Sequence, residues 1–270
     1  MPVLIDGVPT SDPTISVVDL AVLRGYGCFE VLRSYDGRPF RVGDHVERMA
    51  RSAALLDLAM PDRGSVEEWI NEVAREGGDG FVRVVLSAGG TDTTATPPRT
   101  IVMWEPRLPE PNEVRLKEVV APWHPAGFPW ELTGAKTLSY GPNLSATRVA
   151  QQAGFDDAFL LSREGYLLEG PTFTVAWVLN GTLETPELGL GILESVTRRV
   201  ALSEAQREGI PISEGRFALD RLDDASEVMA MSTTKEIRPV TAVGDRAFAE
   251  GPVTLQLGLA FARRVAEELG

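Results

Sequence analysis

Gly134-Ala-Lys-Thr-Leu-Ser-Tyr140 is the stretch on which the reading of this chain turns, together with Leu167-Leu-Glu-Gly-Pro-Thr172 further on. The first sets a lone lysine among small and hydroxyl-bearing residues. The second sets a lone glutamate at the entry to a β-rich run. Lysine is scarce: of 26 Lys and Arg residues in 270, only Lys117, Lys136 and Lys235 are lysines. An amine that forms a Schiff base must be partly neutral near pH 7, which burial or neighbouring cations achieve. The neighbours Gly134, Ala135 and Leu138 suit such a confined position. Lys117, in Arg115-Leu-Lys-Glu118, reads as an exposed strand residue, and Lys235 beside Glu236 as a solvated ion pair. Lys136 is the candidate for amine chemistry; the alternative is an ordinary surface lysine at a loop-to-helix junction.

The totals describe a globular chain, 43% hydrophobic, with a mean hydropathy near zero. No apolar run approaches the length of a bilayer span. The opening residues, Met1-Pro-Val-Leu-Ile-Asp-Gly7, lack a basic region followed by an apolar core, so no secretory signal is expected. One cysteine, Cys28, with two histidines, His45 and His124, predicts neither an internal disulfide nor a zinc cage, and no metal. A reducing cytoplasm is the expected compartment. The net charge of −13 argues against nucleic acid, whose phosphates need clustered Lys and Arg. It leaves room for a small anion held by a few arginines and helix N-termini.

Along the chain, residues 3–5 predict a strand entering the Asp6-Gly7 turn, and 15–25 a loop. Cys28–Tyr35 and Pro39–Val42 flank Asp36-Gly37 as a hairpin. Asp44 reads as an N-cap for a helix over 45–58, with Val46, Met49, Ala53 and Leu56 at helical spacing. A helix over 66–75 and strands over 81–87 and 100–104 follow. Glu105-Pro-Arg-Leu-Pro-Glu-Pro-Asn112 carries three prolines in eight residues and reads as the linker. The expected domains are 1–107 and 114–270, joined by 108–113. In the second, strands are expected over 114–120, 158–161, 175–179, 228–232 and 239–243. Helices are expected over 143–153, 197–209, 219–225 and 254–269. The result is two α+β lobes.

Glu169 falls in an expected turn, where it needs a partner if buried. Ser195 is placed to cap a helix whose first amides, at Val196 and Thr197, would face an anion. Thr233 and Thr234 lie at a strand end, and Arg48 on the first helix four residues after Asp44. Taken singly, each fits a structural role as well, and the two histidines fit hydrogen-bonded structural roles.

In their order, these pieces resemble the fold-type IV pyridoxal-phosphate enzymes, which include branched-chain and D-amino-acid aminotransferases and aminodeoxychorismate lyase. The similarity runs through Arg24-Gly-Tyr-Gly-Cys-Phe-Glu-Val-Leu-Arg33, His45-Val-Glu-Arg-Met49, Ala135-Lys-Thr-Leu-Ser-Tyr140 and Gly165-Tyr-Leu-Leu-Glu-Gly170. It continues through Gly191-Ile-Leu-Glu-Ser-Val-Thr-Arg198 and Ser232-Thr-Thr-Lys-Glu-Ile-Arg-Pro-Val240. The resemblance implies a small N-terminal α/β domain and a larger C-terminal domain with a β-barrel-like core. It implies pyridoxal 5'-phosphate on Lys136 as Schiff base and proton shuttle. Glu169 would pair with the ring nitrogen, and Arg48, Val196, Thr197, Thr233 and Thr234 would hold the phosphate. Tyr140 would neighbour the cofactor. Phe29, Arg33 and Ala88 would line the substrate pocket of a homodimer acting on an amino acid or amine and a 2-oxo acid.

The chain also departs from the pattern. Thr174 stands where Asn is common, Ser195 where Gly is common, and Tyr26 where Asp is common. D-amino-acid aminotransferases carry an arginine in the turn that here reads Ala88-Gly-Gly90, so the guanidinium for the substrate carboxylate is either missing or supplied from elsewhere, with Arg24, Arg33 and Arg99 as candidates. A ping-pong aminotransferase is the expected activity. Aminodeoxychorismate lyase is the alternative, since it holds no acceptor acid. A non-catalytic binding protein would have dispensed with the lysine or the glutamate.

Overall fold

Antiparallel pairing organises the N-terminal part of the computed structural model, which describes residues 1–109 and 111–270. Glu110, inside the expected linker, lies outside the described residues. Contacts divide the chain into two compact units. The first holds Met1–Pro109, Gly134–Tyr140 and Leu269, and the second the remaining described residues. The lysine stretch, expected with the C-terminal residues, thus packs into the first unit.

The first unit contains β1 (Val3–Ile5), β2 (Val8–Pro9), α1 (Leu20–Arg24), β3 (Gly27–Tyr35), β4 (Arg38–Pro39), α2 (Val42–Leu55), α3 (Arg63–Gly77), β5 (Gly80–Ser87) and β6 (Thr100–Pro106). Its six strands run in the order β2-β1-β6-β5-β3-β4, each pair antiparallel. Successive side chains of a strand point to opposite faces. Cys28, Glu30, Leu32 and Ser34 of β3 therefore share one face, and Phe29, Val31, Arg33 and Tyr35 the other. The first set is almost fully buried, and α2 lies over it: Glu30 bonds His45 and Arg48 of that helix. Val46, Met49 and Ala53 complete the buried side of α2, and Val66, Ile70 and Val73 that of α3. The Val, Ile and Met side chains among them each contribute roughly 1.5–3 kcal/mol by leaving water.

Two expectations for this unit need correction. Asp44 does not cap α2. The helix begins at Val42 behind Arg41, which holds a left-handed φ of 57°, and Asp44 lies in the first turn, paired with Arg41 at 3.2 Å. A first-turn carboxylate still favours the helix through its dipole, which is why it mimics a cap in sequence. The 15–25 stretch is not all loop. Asp19 Oδ1 accepts the Ala21 amide at 2.8 Å and starts α1, and Gly25, at φ 65°, stops it.

The second unit contains β7 (Val114–Val120), α4 (Gly141–Gln152), β8 (Asp157–Leu161), β9 (Thr174–Leu179), β10 (Thr182–Pro186), α5 (Val196–Arg207), β11 (Ile212–Gly215), β12 (Glu227–Ser232), β13 (Glu236–Val243), β14 (Arg246–Ala247) and α6 (Pro252–Leu269). Short 3-10 turns cover Leu188–Leu190 and Leu219–Asp224. The sheet order is β11-β10-β9-β12-β13-β7-β8, with β14 on β13, and the sheet curls as a half-barrel. Pairing is mixed: β10 with β11, β13 with β7, and β7 with β8 are parallel. All six residues of β9, Thr-Val-Ala-Trp-Val-Leu, are buried, as a strand covered on both faces requires. One side carries Leu116, Phe159, Val175, Trp177, Val228 and Val240. The other packs Ala176, Val178 and Met229 against Ala201 and Ala205 of α5 and Leu257 of α6. β10, β11 and β14 had no expected counterpart.

Candidate active site

Lys136 is fixed through its backbone. Its amide donates to Ser52 Oγ at 3.0 Å, its carbonyl accepts the Phe29 amide at 3.1 Å, and the Leu138 amide donates to the Gly27 carbonyl at 2.9 Å. With the Cys28–Thr137 bridge, residues 136–138 thus run as a short antiparallel extension on the free edge of β3. That approach explains Gly27: a Cβ there would lie 2.5 Å from the Leu86 carbonyl and 2.6 Å from Leu138 Cδ1. The amine lies 4.4 Å from the centre of the Phe29 ring and donates to the Tyr140 hydroxyl at 3.4 Å. Phe29 and Tyr140 meet edge to face, with centroids 5.2 Å apart. The structure thus brings Lys136, Tyr140 and Phe29 together. The amine thus lies against two aromatic rings, a cation–π arrangement that holds the side chain in place.

Arg48 is buried on α2. Its Nε and Nη2 donate to the two oxygens of Glu30 at 2.7 and 2.6 Å, a bidentate pair. His45 Nδ1 lies 2.7 Å from Glu30 Oε2. Burial pushes the Glu30 carboxyl up, but the Arg48 charge and its hydrogen bonds, then those of His45, outweigh it and hold the group at about 2. Burial holds His45 below its ordinary value against the pull of Glu30. Ser52 links this group to the lysine, since its hydroxyl bonds the Arg48 carbonyl at 3.1 Å and receives the Lys136 amide. Glu30 was not singled out in sequence, although its alternation with Cys28 and Leu32 marks it as facing the core.

The substrate candidates separate. Arg33 is spent on structure: it donates to Asp79 at 2.7 Å and to the Gly80 carbonyl at 2.8 Å, and packs over the Tyr35 ring at 4.5 Å. Arg99 pairs with Asp6 at 2.6 Å, and Arg24 is exposed at the end of α1. Ala88 is buried just after β5, in a loop tied to α1 by the Leu20 amide on the Gly89 carbonyl. Sequence reasoning missed Arg83. It lies on β5 across from Val31, its guanidinium is 5.7 Å from the Phe29 ring centre, and Glu105 holds it at 2.6 and 3.0 Å. Only the strand register reveals that Arg83 and Lys136 border the same ring.

In the second unit, Glu169 is not in a free turn. Tyr166 to Glu169 runs back along β8: Leu168 donates to the Leu160 carbonyl at 3.0 Å, and Leu160 to the Glu169 carbonyl at 2.9 Å. The carboxylate accepts the Leu193 amide on Oε2 at 3.2 Å and faces His124 Nε2 on Oε1 at 3.8 Å. Ser195 caps α5 as expected, accepting the Arg198 amide at 3.2 Å. Val196 and Thr197, both buried, open the helix, where amides have no acceptor inside it. Thr233 and Thr234 form the turn between β12 and β13, with Thr234 Oγ1 3.2 Å from Ser232 Oγ. Thr174 is buried, and its hydroxyl has no hydrogen-bond partner among the described residues. Lys117, 40% exposed, lies 3.6 Å from Glu118, and Lys235 sits 5.6 Å from the Phe173 ring centre. Neither amine lies against the Phe29 and Tyr140 rings as that of Lys136 does. Among the described residues no cluster of three or more His, Cys, Asp or Glu could hold a metal ion.

Comparison with known proteins places this geometry in context. The family model for amino-transferase class IV matches residues 27–243. A putative branched-chain-amino-acid aminotransferase of Methanocaldococcus jannaschii is 30% identical, over 88% of this chain and 86% of the relative. A bifunctional aminodeoxychorismate lyase / D-amino acid transaminase of Mycobacterium tuberculosis is 30% identical, over 82% of this chain and 83% of its own length. A hypothetical aminotransferase from Mycobacterium tuberculosis, solved in a PLP-bound form, superposes with a TM-score of 0.91 at 26% identity, covering 99% of this chain and 100% of the other. A family match of that length, joined to a relative at 30% identity across most of both chains, makes this chain a member of the class IV aminotransferase family.

Proposed function

We propose that this aminotransferase works with pyridoxal 5'-phosphate and moves an amino group from a D- or branched-chain amino acid, or an amine, to a 2-oxo acid in two alternating half-reactions. The observation that carries the reading is Lys136, with its backbone locked to β3 and its amine against Phe29 and Tyr140. The residues fit the three chemical handles of that cofactor. An aldehyde calls for an amine in a confined place, which Lys136 offers. A phosphate calls for N–H and O–H donors, which the first turn of α5 at Val196 and Thr197, the Thr233–Thr234 turn and Arg48 offer. A ring nitrogen calls for a fixed carboxylate, which Glu169 offers. When bound, the cofactor supplies an electron sink for the substrate's α-carbon. The Lys136 amine then takes the proton from that carbon and returns it at the neighbouring position, with the Tyr140 hydroxyl orienting the amine. Phe29 and Ala88 shape the space beside it. Of the arginines, Arg83 is the one beside the Phe29 ring, and it would have to leave Glu105 to take the substrate carboxylate.

The purified protein should be yellow, and Lys136→Ala should be colourless. A wild type that stays colourless with added pyridoxal 5'-phosphate would sink the cofactor reading. Half-reactions with L- and D-alanine, leucine, glutamate and (R)-1-phenylethylamine, followed by absorbance, report donor class and handedness. Aminodeoxychorismate lyase is the second reading, supported by the bifunctional relative and by the arginine-free Ala88-Gly-Gly90 turn. Release of 4-aminobenzoate from aminodeoxychorismate with no donor conversion would put the lyase first. A homodimer and a cytoplasmic location belong to the same proposal. Val17, Val18, Val22 and Leu23 expose apolar side chains of the kind a subunit contact covers, and light scattering measures the mass. No described helix is long and apolar enough to cross a membrane.

A further inference from the structure

We propose that Ser52 is a positioning residue for Lys136, its hydroxyl tying the lysine backbone to the same turn of α2 that carries Arg48; this rests on the reading of Lys136 as the amine that takes the cofactor. Ser52 is 1% exposed, inside α2. A serine hydroxyl has one proton to give and two lone pairs to offer. The Arg48 carbonyl, 3.1 Å away, can only accept, so the proton goes there. The Lys136 amide, at 3.0 Å, donates to a lone pair. A serine within a helix commonly bonds the carbonyl four residues back, and that bond alone would be local. The second bond is not local: it joins positions 84 apart in sequence.

The strand geometry shows what the hydroxyl changes. The Phe29 amide donates to the Lys136 carbonyl and the Leu138 amide to the Gly27 carbonyl, on either side of the Cys28–Thr137 bridge. An antiparallel ladder carried one step further would bring the Lys136 amide to the Phe29 carbonyl. Ser52 takes that amide instead. The pairing therefore ends at the lysine, whose carbonyl is held by β3 and whose amide is held by a side chain of α2. Glu30 of β3 joins those two elements through its bonds to Arg48 and His45. The lysine backbone thus rests on two elements already fixed to each other, and its amine can move while its Cα does not. Arg48 and Ser52 stand about one helical turn apart, so the cation proposed for the phosphate and the amine proposed for the aldehyde share one rigid support.

The test compares wild type, Ser52→Ala and Ser52→Thr. Threonine can keep both bonds, since its hydroxyl also reaches the carbonyl four residues back in a helix. In cofactor-free protein, Ser52→Ala should raise the hydrogen-exchange rate of the Lys136 amide roughly ten- to hundredfold, the scale of one buried hydrogen bond. Amides elsewhere in α2 should keep their wild-type exchange. In holoenzyme reconstituted with pyridoxal 5'-phosphate, the saturating rate of the donor half-reaction should fall roughly tenfold or more, as for a reacting group held slightly out of place. The half-saturation concentration of the donor should not change, and Ser52→Thr should recover both the exchange and the rate. Wild-type exchange at Lys136 in Ser52→Ala overturns the proposal, and so does faster exchange there with a wild-type half-reaction rate. Faster exchange spread evenly along α2, the mark of a packing role, also overturns it. So does a Ser52→Thr protein that melts like wild type and is as slow as Ser52→Ala. A wild type that takes up no pyridoxal 5'-phosphate is a different result: it removes the reading of Lys136, while the exchange arm, run without cofactor, still decides whether Ser52 holds the lysine segment.

Discussion

Replacing Glu30 by glutamine removes one charge from a buried ionic group of the first unit while keeping its shape. The carboxylate is 1% exposed, takes two hydrogen bonds from Arg48 and faces His45 at 2.7 Å. Burial raises its proton affinity, and the Arg48 charge, with the hydrogen bonds of Arg48 and His45, lowers it further than burial raises it, from 4.5 to about 2. That gap corresponds to about 3 kcal/mol of folding stability, at about 1.4 kcal/mol per pH unit. The folded value lies below the unfolded one, so this stability is fully present above about pH 4.5 and is lost as the pH falls toward 2. His45 acts in the same direction. Burial holds it below 6.5, so its contribution fades as the pH falls beneath 6.5.

Glu30→Gln should therefore lose about 3 kcal/mol at pH 7.5, in line with the roughly 3–5 kcal/mol seen when one partner of a buried pair is removed. Against a typical total of about 5–15 kcal/mol, that is a large loss. The assay is urea unfolding of cofactor-free protein in phosphate-free buffer at pH 7.5, 5 and 3.5, with hydrogen exchange on α2 to localise the effect. The double variant Glu30→Gln/Arg48→Met should regain part of the loss, because it no longer buries a guanidinium beside a neutral amide. A Glu30→Gln protein within about 0.5 kcal/mol of wild type, or one as acid-sensitive as wild type, would refute this account.

Gly27→Ala drives a methyl group into the Leu86 carbonyl and Leu138, so it should cost roughly 1–3 kcal/mol and lower cofactor retention by shifting the 136–138 extension; thermal melts and bound-cofactor absorbance read the two effects. Cys28 is buried, and burial, then the Glu30 charge, pushes its thiol up to about 12, so it should resist iodoacetamide at pH 8 until urea unfolds the chain. Because that folded value lies above the unfolded one, the thiol's contribution is complete below about pH 9 and fades as the pH climbs toward 12.

What could be read from the chain follows the strength of each local signal. The alternation in Cys28–Tyr35, the Asp36-Gly37 turn and the helical spacing in 45–58 depend on neighbours in sequence, and the structure contains each of them within a few residues. β10, β11 and β14 carry Glu, Thr, Pro or Arg in two to five residues, and only pairing with longer strands makes them strands. The same boundary divides the candidate site. Lys136, Glu169 and the Ser195 cap were legible as residue types in context. Arg83 was not, because what distinguishes it is a neighbour far away in sequence, the Phe29 ring.

Glu30 and Glu169 show how one residue type takes opposite parts in one protein. Glu30 is met by a guanidinium through two bonds, and its charge is neutralised inside the fold. Its carboxylate has nothing left to offer a ligand, and its work is to hold Arg48 and, through Ser52, to brace the lysine segment. Glu169 accepts the Leu193 amide at 3.2 Å and has the His124 imidazole 3.8 Å away, with no guanidinium bound to it among the described residues. On the cofactor reading proposed above, a protonated ring nitrogen is the cation this carboxylate would take. Converting one type into the other is therefore a sharper perturbation than deletion. His124→Arg would bring a permanent charge beside Glu169, give the carboxylate the kind of partner Glu30 already has, and, on the proposed cofactor reading, weaken cofactor retention, which bound-cofactor absorbance measures.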